Sequence, residues 1–325
     1  MRRSRRDFLR LATAGAVAAG AFAVPRRGRA QAPVKIGTAV FGAYSLAAPV
    51  MVAAEKGFFR AQGVDAEFIP FRGGPDLAKA VMAGEVLIGL TGSTDIIVFR
   101  EAGMPIKLVA AHGEGNDFVL VGAPDAAPVA ELRGKTIGVT RVGATTWVFA
   151  RMVAKHHGWD PDRDVKIVGL GGLDAQLAAL ARKEIDAFVW GDFGAVTQAQ
   201  GRTKVVFRLE SLTPKWICYI QYASEEAIRK NADAIRRSTR ALFQAIRFLK
   251  ANPSEAVRIT ASRFGWSPDA VLAVHRALTP LFLDDGRINL EALRAMQDAL
   301  LEHGAIKKRL PLEEHYTTEF TPVRV

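Results

Sequence analysis

The feature that most constrains the fold is a regular alternation of strand-like and helix-like segments, which begins at Pro33 and occurs twice. In the first series the predicted strands are 34–40, 66–71, 86–90, 106–111 and 118–121, and the predicted helices are 47–59, 76–82 and 94–101. Short apolar strands that alternate with amphipathic helices are typical of βαβ units and a largely parallel sheet. The chain is therefore predicted to be an α/β protein.

A second, similar series follows the Pro- and Ala-rich stretch 123–130. Its predicted strands are 135–139, 165–168, 187–190, 204–208 and 217–222, and its predicted helices are 145–156, 173–181 and 193–200. After Ser224 only helical periodicity remains, over 225–250, 254–263, 268–278 and 290–303. Two α/β lobes with a helical tail predict a cleft between two sheets, because open α/β sheets bind ligands beyond the carboxyl ends of their strands.

The N-terminal segment has the three-part order of an export signal. Ser4-Arg5-Arg6-Asp7-Phe8-Leu9 is followed by a weakly apolar stretch from Leu11 to Val24, too short to span a bilayer. Arg5 and Arg6 predict a twin-arginine signal over residues 1–32 and a protein exported to the periplasm. Cleavage is expected after Ala32 or after Ala30. No cysteine at this junction could carry a lipid, so a soluble mature protein is expected.

Charge and cysteine content exclude several classes of protein. Residues 1–32 hold eight of the 44 basic and one of the 33 acidic residues, so 36 basic and 32 acidic residues remain and the net charge falls from +11 to about +4. No basic run with interleaved aromatics follows, so nucleic-acid binding is not expected. Cys218 is the single cysteine, which excludes an intramolecular disulfide and a cysteine-based zinc site.

Four segments, in the same order along the chain, resemble the nitrate/sulfonate/taurine substrate-binding proteins, the NMT1/THI5-like family. They are Glu55-Lys56-Gly57-Phe58-Phe59 with Gly63-Val64-Asp65, Ala83-Gly84-Glu85-Val86 with Gly92-Ser93, Leu132-Arg133-Gly134-Lys135-Thr136-Ile137-Gly138-Val139, and Glu184-Ile185-Asp186-Ala187 to Trp190. The family often continues with Glu-Pro after that tryptophan, whereas this chain has Gly191-Asp192-Phe193. The ligand of the family therefore cannot be carried over.

The resemblance implies a type II periplasmic-binding-protein clamshell with two crossings between the lobes. It implies lobe 1 over 33–122, lobe 2 over 123–218 and a return to lobe 1 with the C-terminal helices over 219–325. It also implies a receptor that binds a small solute and delivers it to an ABC permease, with its ATPase, in the inner membrane. The other expected partner is the twin-arginine translocase during export, and a monomer is expected.

The candidate ligand-binding residues of lobe 1 follow its predicted strands. Phe41, Gly42 and Tyr44 lie in a loop that contacts ligand in relatives, although aromatics at this position could equally cover the core. Arg72-Gly73-Gly74 combines a cation with glycines that permit close backbone approach, and a solvated arginine is the alternative. Ser93 and Thr94 precede a helix, where they could cap its N-terminus, hold an anion, or do both.

The matching candidates of lobe 2 are in two turns. Arg141, Thr145, Thr146 and Trp147 follow a strand and a glycine turn and open a helix, a geometry that accepts anions. Trp147 could stack on a flat ligand or pack inward. Trp190 and Asp192 end another strand, where Asp192 could accept a hydrogen bond from the ligand or cap the next helix. A carboxylate in the pocket would argue against a purely anionic ligand.

No enzymatic motif accompanies these residues. The six histidines form no H-E-x-x-H pair, and the sequence contains no P-loop and no G-x-S-x-G elbow. No metal or cofactor is expected. We expect a receptor for a small organic anion or a flat aromatic solute. An exported enzyme of the same fold related to pyrimidine or thiamine metabolism, and a ligand-sensing subunit for a membrane receptor, are the alternatives.

Overall fold

The computed structural model describes residues 33–325, which form one compact unit. The predicted export signal, with Arg5 and Arg6, lies outside the described residues. The first lobe is built from strands and helices in alternation: β1 (Val34–Thr38), α1 (Tyr44–Glu55), α2 (Phe58–Ala61), β2 (Ala66–Pro70), α3 (Gly74–Met82), β3 (Ile88–Gly92), α4 (Thr94–Glu101) and β4 (Ile106–Glu114).

The second lobe repeats this pattern, and a helical tail follows. The remaining elements, in chain order, are β5 (Val119–Gly122), β6 (Thr136–Val139), α5 (Thr145–His156), β7 (Lys166–Gly169), α6 (Leu173–Ala181), β8 (Ala187–Trp190), α7 (Ala195–Ala199), β9 (Lys204–Arg208), β10 (Ile217–Ser224), α8 (Glu225–Ala251), α9 (Pro253–Phe264), α10 (Pro268–Leu278) and α11 (Leu290–Glu302). Of these, β10 returns to the first lobe. Most predicted elements are present, and their ends agree with the prediction or differ from it by up to four residues; the predicted helix 47–59 is divided into α1 and α2.

The strands form two five-stranded sheets of the same design. Their orders are β2-β1-β3-β10-β4 and β7-β6-β8-β5-β9. In each sheet the first three strands are parallel, and the strand that enters from the other lobe runs antiparallel: β10 against β3 and β4, and β5 against β8 and β9. The sheets are therefore mixed, where the sequence predicts largely parallel ones.

The chain crosses between the sheets twice, at 115–118 and at 209–216. The family resemblance places residues 118–121 in lobe 1 and starts lobe 2 at residue 123, but β5 pairs with β8 and β9 in the second sheet. It also ends lobe 2 at residue 218, although β10 begins at Ile217 in the first sheet. A four-residue apolar strand carries no information on which sheet it will join.

The helical tail packs mainly on the first lobe. The capping hydroxyl of Ser224 accepts a hydrogen bond from the Ala227 N–H and begins α8, whose apolar face packs against α1, α2 and the first sheet. Helix α9 packs on α1, and α11 packs on α4. Helix α10 differs, because it also contacts α7 of the second lobe. The helical tail therefore contacts both lobes, the second one through α10.

Candidate functional site

A small cavity of about 40 Å³ lies between the two sheets, where the carboxyl ends of β1, β3, β6 and β8 face each other. Its walls combine backbone, small apolar side chains and aromatic rings with a few hydroxyls and one carboxylate. The lining residues are Ala39, Val40, Ala43, Leu46, Gly73, Gly74, Thr91, Gly92, Asp95, Phe118, Thr140, Ala144, Thr145, Thr146, Trp190, Gly191 and Tyr219. Residues of both lobes contribute, so the cavity closes only when the lobes meet.

The carboxylate of Asp95 joins the lobes on one side of the cavity. It lies in the first turn of α4, and Oδ1 accepts hydrogen bonds from the Thr145 N–H at 3.0 Å and the Thr145 hydroxyl at 2.9 Å, at the start of α5 in the other lobe. Oδ2 accepts from the Thr91 hydroxyl at 2.6 Å, and the Thr94 hydroxyl donates to Thr145 Oγ1 at 2.6 Å. An aspartate of lobe 1 therefore caps a helix of lobe 2.

Asp192 makes the reciprocal contact on the other side. It follows β8 in lobe 2, and its carboxylate accepts from the backbone N–H of Tyr44 at 2.5 Å and of Ser45 at 3.3 Å. These groups begin α1 of lobe 1, where unpaired N–H groups and the helix dipole favour negative charge. Asp192 thus caps a helix across the cleft rather than the helix that follows it.

A third aspartate is buried behind Gly191. Oδ2 of Asp117 accepts from the Asp192 N–H and from the Tyr219 hydroxyl, each at 2.5 Å, whereas Oδ1 has no hydrogen-bond partner among the described residues. The ring of His112 stacks on Tyr219 with centroids 5.8 Å apart. Asp117 comes from the first crossing, His112 from β4 and Tyr219 from β10, so the topology assembles this group from positions up to about a hundred residues apart.

Burial sets the charge state of these acids. Loss of solvent raises the pKa of Asp95 to about 6, against the lowering effect of its three hydrogen bonds. Burial also raises the pKa values of Asp117 and Asp192, and for Asp117 the charge of the neighbouring Asp192 adds to this. For His112, burial lowers the pKa to about 3, so the ring is neutral and offers these acids no positive charge.

The rim of the cleft carries an ion pair. Nε and Nη2 of Arg141, in lobe 2, both lie 3.0 Å from Oδ2 of Asp76, in the first turn of α3. The aliphatic part of Arg141 covers Gly73, where an added Cβ would come within 2.4 Å of Arg141 Cγ. Both side chains are about one-third exposed. The guanidinium is therefore paired with lobe 1 at the edge of the cavity.

Five of the fourteen predicted ligand-binding residues line the cavity: Gly73, Gly74, Thr145, Thr146 and Trp190. Their binding role remains a prediction. The Thr145 hydroxyl is bound to Asp95, and Thr146 Oγ1 accepts from the N–H of Thr140 at 3.0 Å. The hydroxyls predicted to hold an anion are thus engaged with the protein's own groups.

Four predicted residues form the lobe contacts beside the cavity rather than its walls. They are Tyr44, Thr94, Arg141 and Asp192, with the contacts described above. The Tyr44 hydroxyl lies 2.8 Å from Nδ1 of His275 on α10, so its ring packs in the core.

The other five predicted residues lie away from the cavity. Phe41 is 40% exposed and packs on Phe264, Gly42 faces Leu173 and Trp266, and Arg72 is exposed. The hydroxyl of Ser93 donates to the Ile217 carbonyl inside lobe 1. Trp147 stacks under the guanidinium of Arg151, 4.8 Å from the ring centroid, beside a separate surface depression. None of these five residues lines the cavity.

Four residues of the site, Asp95, Asp117, Phe118 and Tyr219, are not among the predicted ligand-binding residues. An aspartate in the first turn of a helix is expected for helix stability alone, so Asp95 carried no separate signal. Asp117 and Phe118 lie in the first crossing, and Tyr219 lies in β10, just after the second crossing. The position of the two crossings in the sequence would have pointed to all three.

Within residues 33–325, no group of three or more metal-binding side chains is present, and no helix is long and apolar enough to cross a membrane.

The comparisons with known proteins agree with this architecture. The family model described as NMT1/THI5 like matches residues 46–256. A Brucella abortus protein whose name describes it as a binding protein is 26% identical over 280 residues, 83% of this chain and 86% of its own. The Saccharomyces cerevisiae protein named 4-amino-5-hydroxymethyl-2-methylpyrimidine phosphate synthase THI5 is 21% identical over 221 residues, 64% of each chain.

Among solved structures, the alkanesulfonate-binding protein SsuA of Xanthomonas axonopodis pv. citri, bound to MOPS, superimposes with a TM-score of 0.73. The identity is 19%, and the match covers 87% of this chain and 97% of that one. At this identity the likeness shows the fold, which is the two-lobe clamshell predicted from the sequence.

Proposed function

Because the chain belongs to the NMT1/THI5-like family, we propose that it is a periplasmic solute receptor of an ABC importer. One observation carries the proposal: the cavity exists only where the two lobes meet, and its walls come from both sheets. A solute held there contacts both lobes and stabilises the closed form, which an importer can recognise. A ligand shifts such an equilibrium only through its better affinity for the closed form.

Export through the twin-arginine route and delivery to a permease complete the proposal. The paired arginines Arg5 and Arg6 support the export step, and the binding-protein names among relatives support the transport step. The mature protein acts as a monomer that closes on one solute.

The proposal is tested by thermal unfolding of the mature chain against a panel of small solutes. The panel contains nitrate, sulfonates, carboxylates, pyrimidines and small amines. A solute at 100 times its Kd stabilises the folded protein by about 2.7 kcal/mol, which raises Tm by a few degrees. We expect one class to do so and small-angle scattering to show a more compact protein with it. Failure of every class would contradict a receptor role.

A matched pair of threonine variants links this binding to the cavity. Thr145→Ala removes the hydroxyl that bonds Asp95 and Thr94 across the cleft and should weaken binding. Thr197→Ala removes a buried hydroxyl with two partners inside lobe 2, away from the cavity, and should leave the affinity unchanged. Equal effects would place the solute elsewhere.

An enzyme is the second candidate, favoured by the yeast synthase among the relatives. The same panel distinguishes it, because mass spectrometry of the stabilising solute after incubation detects any conversion. A receptor returns the solute unchanged.

A further inference from the structure

The cavity has an acidic character that no basic side chain offsets. Asp95 lines it, and Asp117 and Asp192 lie directly behind Gly191. Among residues 33–325, no lysine, arginine or histidine contributes to the lining. Arg141, at the rim, is paired with Asp76. A solute in the cavity therefore meets carboxylate oxygens without a neighbouring cation.

The positions that would hold the oxygens of an anion are already filled. The first N–H of α5 donates to Asp95, and the first two N–H groups of α1 donate to Asp192. Asp95 also covers the start of α3, because a Cβ added to Gly74 would lie 1.7 Å from Asp95 Oδ2. Three helix N-termini that could stabilise an anion thus face the protein's own carboxylates.

The carboxylate of Asp95 can accept one more hydrogen bond, from a solute. Oδ1 accepts two hydrogen bonds and Oδ2 accepts one, and each carboxylate oxygen can accept two. Its pKa of about 6 leaves it mainly ionised at neutral pH. A donor group with positive charge would complete the bonding of Oδ2 and neutralise a buried charge at the same time.

The size of the cavity limits the solute. About 40 Å³ accommodates roughly three water molecules, since one requires about 10–15 Å³ of such space. The closed form therefore suits a compact group of about four non-hydrogen atoms, packed between Phe118, Trp190 and Tyr219. Aromatic faces also attract cations.

We propose that the cavity selects a small, positively charged N–H donor, such as a protonated amine, amidine or guanidine group, with Asp95 as its counter-ion. The inference rests on the proposed receptor function and names its class of ligand. It makes Asp95 the residue that determines charge specificity and excludes nitrate and sulfonate as ligands.

Three planar species of the same size test the charge directly. Guanidinium, urea and nitrate each have four non-hydrogen atoms in a trigonal arrangement and carry charges of +1, 0 and −1. Binding to the mature protein is measured by calorimetry at pH 7.5, up to 20 mM, with ionic strength matched by sodium chloride. Four atoms limit the Kd to about 40 µM at best, so this range is sufficient. We expect guanidinium to bind, urea to bind at least about tenfold more weakly and nitrate not to bind.

Variants then assign the effect to one residue. Asp95→Asn keeps the shape and should weaken guanidinium binding by at least about tenfold, because a close charge pair is lost. Asp76→Asn is the matched control, since it removes one negative charge at the rim and should change the Kd by less than about threefold. Circular dichroism confirms that both variants fold. Equal losses in the two variants would overturn the role of Asp95.

The outcomes separate this inference from the receptor function. Nitrate binding as tightly as guanidinium, or no guanidinium binding at 20 mM, overturns the charge proposal, and a solute of another class that stabilises the protein would leave the receptor function standing. Guanidinium binding that is weakened in Asp95→Asn alone supports both.

Discussion

Replacement of Gly92 by alanine should hold the two lobes apart without disturbing either. Gly92 ends β3 in lobe 1, and the three nearest atoms to an added Cβ all belong to Thr145 of lobe 2, at 2.6, 2.9 and 2.9 Å. Real Cβ contacts essentially never fall below 3.0 Å. The φ of Gly92 is not positive, so alanine fits its backbone. The clash exists only in the closed form.

The size of the effect follows from the bonds that Thr145 makes. Relief of the clash requires a separation of about 0.5–1 Å, which lengthens the two bonds to Asp95 to about 3.4–4.0 Å, beyond useful range, and the one to Thr94 to about 3.1–3.6 Å. Bonds to a charged group contribute about 1.5–3 kcal/mol each and a neutral one about 1 kcal/mol. The closed form should lose about 3–7 kcal/mol, and solute affinity should fall by at least about a hundredfold.

Gly172→Ala is the matched control. Gly172 also faces the other lobe, but an added Cβ would lie 3.7 Å from Val40 Cγ2, an ordinary contact, and its φ is −68°. Small-angle scattering with the best solute of the panel should show closure in this variant and in the parent, and an open form in Gly92→Ala. A Gly92→Ala protein that closes and binds like the parent would refute the closed arrangement as the binding form.

Three further predictions concern the charged groups. Burial raises the pKa of Asp95 from 3.8 to about 6, so the folded protein favours the protonated carboxyl. The protonated carboxyl therefore adds about 3 kcal/mol to the free energy of unfolding below pH 4, and this stabilisation is lost as the pH rises through 6. The difference in urea unfolding free energy between the parent and Asp95→Asn should therefore change between pH 4 and 7, and a constant difference would contradict the shift. Asp192→Ala should lower the free energy of unfolding by about 2–4 kcal/mol because two N–H groups of α1 lose their acceptor. Asp192→Asn keeps an acceptor and relieves repulsion with Asp117, so its free energy of unfolding, measured by chemical denaturation, should stay within about 1 kcal/mol of the parent value. Arg141→Gln breaks a pair that is about one-third exposed and should change guanidinium affinity by less than about threefold in calorimetry, where a large loss would assign Arg141 a direct role.

The sequence predicted the elements well because their signals are local. The bounds of α4, α5, α6, β8, β9 and α10 agree with the predicted ranges to the residue. Periodicity of 3.6 or 2 and the turn residues depend on near neighbours, so they can be read from one chain. The partner of a strand is not local, which explains why β5 was assigned to the first lobe.

The site was predictable only in part for the same reason. The turns at 92–94 and 141–147 are predicted as matching elements, one on each lobe, and the structure brings them together through Thr94 and Thr145. Hydroxyls at helix N-termini indicate a place where an anionic group is stabilised, but they do not show whether a ligand or the protein itself supplies that group. Here the source is Asp95, one residue beyond the predicted pair, so the anion is supplied by the protein.

Because the protein's own carboxylates cap the helix N-termini at the cleft, a solute must stabilise the closed form in a different way. In a cleft with unpaired helix N-termini, an anion contributes the bonds that join the lobes. In this chain Asp95 and Asp192 already make those bonds, each from the opposite lobe. The remaining unfavourable term is the burial of their negative charge, since burial raises the pKa values of both. A solute therefore stabilises closure most by neutralising that charge, which favours a cation over an anion even where both would fit.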